Sequence, residues 1–177
     1  FFKKKKFLKN KKKCIELIKS EFNCDIIIRS SAIDEDNIKN SKAGFYDSKI
    51  IKKTDFDKIE KNINFIILKF NNDDDEILVQ KFITKPDLAG VVFTKDKTTN
   101  SHYFDINYDT SKKTDLITSG KYNPSIKSLT IYKKSKLIPK KFQTLIKIVS
   151  NLEKTFNDER LDIEFCIKNK KVYILQC

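Results

Sequence analysis

The chain has 177 residues, 39% of them hydrophobic, which is about one domain's length and enough to enclose a core. Its formal charge of +13 invites a nucleic-acid partner, but only Arg29 and Arg160 among its 37 basic residues are arginine, whose planar fork reads bases and phosphates. Lysines spread beside many Asn and Ile residues read as compositional bias, and no apolar run reaches the ~18 residues of a membrane span, so neither nucleic acid nor membrane is expected as a partner.

Phe7, Leu8, Ile15, Ile18 and Phe22 recur at helical spacing, so the first ~22 residues read as one amphipathic helix with a lysine-coated outer face. Residues 25–30 form a short apolar run of the buried-strand type, delivering Arg29, Ser30 and Ser31 at its end. An arginine, two hydroxyls and backbone amides where a strand breaks make an anion seat. An equally available reading pairs Arg29 with the acidic loop at 34–37, and spacing does not separate the two.

A strand through Ile50 and Ile51 comes next. Phe56, Ile59, Ile63, Ile66, Ile67 and Phe70 mark a second helix, with Thr54 as its expected N-cap. Beyond the acidic loop at 71–75 the pattern turns to strands over 77–83, 89–94 and 103–108, with shorter extended pieces at 114–120 and 128–132. Pro139 opens a third helix with its apolar stripe at Phe142, Leu145, Ile146, Val149, Leu152 and Phe156. The order of elements, with no internal repeat and no Pro/Gly/Ser linker, predicts an α+β fold.

The last sixteen residues read as two strands joined by a polar turn at Lys168, Asn169, Lys170 and Lys171. Ile163, Phe165 and Ile167 face one way and Asp162, Glu164 and Cys166 the other. Acidic residues are poor strand formers, and two on one face suggest an oxygen platform suited to Mg²⁺, which takes one or two carboxylates and completes its shell with water and phosphate. Gln176 joins that face only if the turn holds an odd number of residues; a two-residue turn sends it to the other side. The competing reading is an ordinary hairpin with a solvated acidic face.

The four cysteines (Cys14, Cys24, Cys166, Cys177) show no C-x-x-C spacing, and His102 is the single histidine. Free thiols in a reducing cytoplasm are therefore expected rather than a zinc site. With no methionine anywhere, the sequence reads as beginning inside a reading frame. There are three glycines, Gly44, Gly90 and Gly120, against an average use near ~7%, so each is expected where a side chain does not fit, in a turn or beside a ligand. None belongs to a P-loop or a G-x-G-x-x-G.

Six blocks in order carry a resemblance: Ile-Arg-Ser-Ser-Ala-Ile-Asp-Glu-Asp (28–36), Ala-Gly-Phe-Tyr-Asp-Ser (43–48), Val-Gln-Lys-Phe (79–82), Ala-Gly-Val-Val-Phe-Thr (89–94), Thr-Ser-Gly (118–120) and Asp-Ile-Glu-Phe…Ile-Leu-Gln (162–176). Together they resemble the nucleotide-binding domain of phosphoenolpyruvate synthase and pyruvate, phosphate dikinase. The resemblance implies a partial ATP-grasp fold over 1–177, with a first subdomain to about 75 and a second, carrying the metal hairpin, from about 76. It implies that ATP passes its β-phosphoryl group to a phosphohistidine carrier domain and on to an acceptor, releasing AMP and phosphate. Arg29 would contact the phosphates beside Ser30 and act catalytically with Glu164, and the Gly44 loop would cover them. The strand holding Gln80 and Phe82 would meet the adenine edge, and Gly90 with Thr94 would form part of the phosphate-side hairpin. Glu164 and Gln176, with Asp162 beside them, would hold Mg²⁺.

The chain departs from the family pattern in three places. No glycine-rich segment with a phosphate-binding lysine precedes these blocks, no Arg-Pro follows the final Leu-Gln, and His102 lies outside any carrier-histidine context. The chain thus reads as a trimmed piece that does not turn over ATP alone. Residues 106–120 replace the glycine-rich version of the pyruvate enzymes and are similar to the form in dikinase-like proteins of capsule biosynthesis, which implies L-glutamine as acceptor in place of pyruvate. Three further readings stay open: a phosphoenolpyruvate synthase or pyruvate dikinase proper, an ATP-grasp ligase, which releases ADP, and a basic nucleic-acid-binding module.

Overall fold

The computed structural model describes residues 1–32, 48–96, 99–111 and 125–177. The chain is α+β and divides into two compact units, Phe1–Phe82 and Ile83–Cys177. Each unit has one antiparallel sheet, covered on one face by helices in the first and, among the described residues, by one helix in the second.

In the first unit the strand order is β1-β4-β2-β3. The strands are β1 (Phe2–Lys3), β2 (Ile26–Ser31), β3 (Ser48–Ile51) and β4 (Glu76–Lys81). Strand alternation sends Ile26 and Ile28 of β2 into a core with Ile77 of β4, Phe7 of α1 (Lys4–Lys9), Cys14 and Ile18 of α2 (Lys11–Glu21), and Ile59, Ile63 and Ile66 of α3 (Ile59–Ile67).

Two local expectations need correction here. The single N-terminal helix is instead a strand and two helices. Asn10 leaves helical geometry at φ −138°, its N–H capping the carbonyls of Lys6 and Phe7 while its own carbonyl accepts from Cys14 N–H. That break lets Phe2 pair into the sheet while Phe7 is fully buried from a separate helix. Thr54 caps nothing, because a 3-10 turn (Lys53–Lys58) leads into α3 and its first N–H, that of Lys53, donates to Asp25 Oδ1 at 2.9 Å. The unit runs on to Phe82 because β4 hydrogen-bonds along the whole of β2.

The lysines at the start of the chain do more than coat a solvated face, because three of them clamp the acidic loop. Lys3 and Lys5 both reach Asp74 (2.9 and 2.7 Å), Lys4 reaches Asp73 (3.1 Å), and the N–H of Lys4 donates to the buried Asp75's carbonyl.

The second unit has strand order β7-β6-β5-β8-β9, all antiparallel. Its strands are β5 (Leu88–Phe93), β6 (Tyr103–Asp109), β7 (Lys127–Tyr132), β8 (Asp162–Lys168) and β9 (Lys171–Gln176). Helix α4 (Lys140–Phe156) begins immediately after Pro139 and lays Phe142, Leu145, Ile146 and Val149 on one face of this sheet, against Val92, Ile106, Ile163, Phe165 and Ile167. Phe156, expected at the end of that stripe, is exposed one residue before the left-handed Asn157 that stops the helix. No helix among the described residues is long and apolar enough to cross a membrane.

Candidate functional site

The β8–β9 hairpin is built as its alternation predicts on the apolar side. Ile163, Phe165 and Ile167 lie under α4, while Asp162 and Glu164 fall on the opposite face. The turn itself is short. Lys168 pairs with Lys171, leaving Asn169 and Lys170 as a two-residue turn with positive φ at both positions (51° and 64°). That is the backbone signature of a type I′ hairpin turn, whose twist suits the flanking strands.

Counted from that turn, Gln176 belongs on the α4 side. The ladder does otherwise. Between Phe165 and Glu164 the register steps by one, so Phe165 pairs with Ile174 but Glu164 pairs with Gln176. Leu175 is the extra residue, and it packs with Tyr173 against Ala89 and Cys166 on the Glu164 face. A β-bulge of this kind re-aims the residue that follows it. Gln176 is thereby brought opposite Glu164, with Asp162 two residues along the same strand.

The neighbouring strands extend this face. Val91 of β5 pairs with Glu164 and, on its other side, with Asn107 of β6; Asn107 in turn pairs with Ser128 of β7. One step along lie Asp162, Phe93, Asp105 and Thr130. From the sequence the polar members Asp105 and Asn107 read only as strand residues. The signal that marks them is the alternation of Tyr103, Asp105 and Asn107 against Phe104, Ile106 and Tyr108.

Several charges on this unit are set by contacts. Burial raises the pKa of the Asp109 carboxyl, but hydrogen bonds from Ser111 and Ser125, with the backbone N–H groups of Ser111 and Thr110, outweigh it and leave that pKa below the ordinary value. Burial pushes the Cys166 thiol up to about 11, so it stays protonated beside Ala89. The Cys177 thiol is raised by burial first and then by the negative charge of Asp162. Among the described residues no three His, Cys, Asp or Glu side chains are grouped to hold a metal. An ion at Glu164 would thus take at most two carboxylates and the Gln176 amide, and this sparse oxygen set fits Mg²⁺ better than a caged Ca²⁺.

Gly90 and Thr94 have structural partners. A Cβ on Gly90 would lie 2.4 Å from the Asn107 carbonyl and 3.0 Å from the Phe165 ring, so close strand packing beside Phe165 excludes a side chain. Thr94 is fully buried; its hydroxyl donates to the Glu159 carbonyl (2.7 Å) and accepts from Leu161 N–H (2.8 Å), fastening the end of β5 to the approach of β8.

In the first unit, Arg29 and Gln80 lie on the face of the sheet opposite the helices, two strand positions apart across the β2–β4 ladder. Ser30 alternates to the helix side and is buried opposite Ile77. Phe82, the unit's last residue, is half-buried and donates its N–H to the Asp25 carbonyl. Gly44, Gly120, the acidic loop at 34–37, the extended piece at 114–120 with its motif block at 118–120, and all of the block at 43–48 except Ser48 lie outside the described residues.

No protein-family model and no curated protein sequence matches this chain.

Proposed function

We propose that the chain is the ATP-binding portion of a dikinase-type phosphotransferase with an ATP-grasp fold. The observation that carries this reading is the bulge that brings Gln176 opposite Glu164, because it joins a carboxylate and an amide oxygen on one rigid edge. In this reading Glu164, Gln176 and Asp162 hold Mg²⁺. The ion supplies neutralisation of the charge on the phosphates of bound ATP, the main requirement of phosphoryl transfer.

The chain's own residues position the nucleotide. Arg29 offers a bidentate fork to phosphate oxygens, which a lysine would not reproduce. Gln80, on the same face of the first sheet as Arg29, meets the base. The phosphoryl group then passes to a histidine of a carrier domain and on to an acceptor, glutamine by the subgroup resemblance or pyruvate by the wider one.

Calorimetry of the 177-residue chain with Mg·ATP tests the first part. Magnesium-dependent binding that Glu164→Gln abolishes is the expected result; binding indifferent to magnesium overturns the metal assignment. Incubation with Mg·ATP, a carrier-histidine domain and glutamine or pyruvate, followed by separation of the nucleotides, tests the second. AMP supports a dikinase-type transfer, and the acceptor consumed names the enzyme. Release of ADP alone would place the chain with the ATP-grasp ligases.

A further inference from the structure

The register of the second sheet sets a primary amide beside the Glu164–Gln176 pair. Asn107 stands on the same face, separated from Glu164 by the single strand that carries Val91. Two strand spacings amount to roughly 10 Å, and Val91 between them is a small apolar floor. The gap leaves room for a phosphoryl group between amide and carboxylate.

The orientation of the amide is fixed from its other side. Ser128, paired with Asn107 on β7, donates its hydroxyl to Asn107 Oδ1 at 2.6 Å. With Oδ1 turned toward β7, the Nδ2 prong lies on the β5 side, above Val91. Among the described residues, no acceptor takes its two hydrogens. An amide with both protons presented and no lone pair in that direction suits an oxyanion and not a cation.

We propose that Asn107 is a substrate-positioning residue that donates from Nδ2 to a phosphoryl oxygen of the nucleotide, with Ser128 holding the amide in the donating orientation. This rests on the metal reading, in which Glu164 and Gln176 bind the cation, and adds that Asn107 binds the anion which the cation neutralises. A hydrogen bond to a charged oxygen is worth more than a neutral one, so its loss reads as roughly a tenfold change in affinity.

The test measures two ligands on the 177-residue chain: Mn²⁺ alone by electron paramagnetic resonance, and Mg·ATP by calorimetry. Asn107→Ala is expected to weaken Mg·ATP about tenfold and leave Mn²⁺ affinity unchanged. The near-isosteric Asn107→Asp, which places an acceptor against the phosphate, weakens Mg·ATP further and keeps the fold if the alanine variant does not. Ser128→Ala gives a smaller loss in the same direction. Mg·ATP affinity unchanged in both Asn107 variants overturns the proposal. Glu164→Gln separates it from the reading beneath it: loss of Mn²⁺ there, with Asn107 variants unaffected, keeps the metal site and removes Asn107. Indifference of Mn²⁺ to Glu164→Gln removes the metal site, and a chain that binds no Mg·ATP overturns both.

Discussion

Gln176 lies directly opposite Glu164, although a two-residue turn closes the hairpin that joins them. In a regular ladder from Lys168 and Lys171, position 175 would face Glu164. Deleting Leu175 should therefore move the glutamine into the regular register and keep it opposite Glu164. The expected outcome is retained metal affinity with lost stability, about 1–3 kcal/mol, because a half-buried leucine leaves its contacts with Ala89 and Cys166. Mn²⁺ titration and denaturant midpoints on the same sample check both halves. Lost metal affinity in a folded deletion variant would mean that the bulge itself shapes the site.

Gly90→Ala should destabilise the second unit. The new methyl would meet a backbone carbonyl at 2.4 Å, and a carbonyl cannot swing away as a side chain can. Overpacking of this kind costs about 1–3 kcal/mol, visible as a lower urea midpoint with an unchanged slope.

Thr94→Val keeps the shape of a buried side chain and removes both of its hydroxyl bonds, one to Glu159 and one from Leu161. The expected cost is about 1–3 kcal/mol, since Leu161 N–H and the Glu159 carbonyl lose a partner. Thr94→Ser should recover most of it. A valine variant as stable as the parent would show that these two bonds do not hold the end of β5 to the approach of β8.

Asp74 titrates far below its usual range. Hydrogen bonds from Lys5 and then Lys3 lower its pKa from 3.8 to about 2. A carboxylate held low in the folded state adds stability that is complete above its unfolded pKa and disappears as pH falls through the folded one. The contribution is therefore present at neutral pH and lost on acidification from about pH 4 toward pH 2. Carbon-detected NMR titration should find the low value, and Lys5→Ala should raise it. Because the group is exposed, added salt should also raise it.

Much of the second unit is legible from alternation: the α4 stripe, the faces of β8 and the strand over 103–108 all follow from side-chain period. The place of Gln176 is not, because a bulge changes parity without any residue announcing it, and Leu175 reads as a plain strand residue. The split at Asn10 is hidden for a similar reason, since Phe7, Ile15 and Ile18 keep helical spacing across the break. Strand β4 reads as part of the second unit because its composition carries no record of its partner; only the pairing with β2 decides it. Asn107 escapes a reading of the sequence because the polar residues of β6 gain meaning only from the register of β5 between them and Glu164.

Strand β5 joins β6 on one side through a nearby hairpin, and on the other it pairs Val92 with Ile163, far along the chain. Closing that long loop is entropically the hardest step in assembling the second unit, so the β5–β8 seam should form late, after the local hairpins. Asn107 and Glu164 sit on opposite sides of that seam. They become neighbours only when it closes, so a nascent chain has at most the Asn107–Ser128 half of the arrangement until β8 has been made. In stopped-flow refolding, recovery of ligand affinity should keep pace with the slowest phase of the second unit and never run ahead of it.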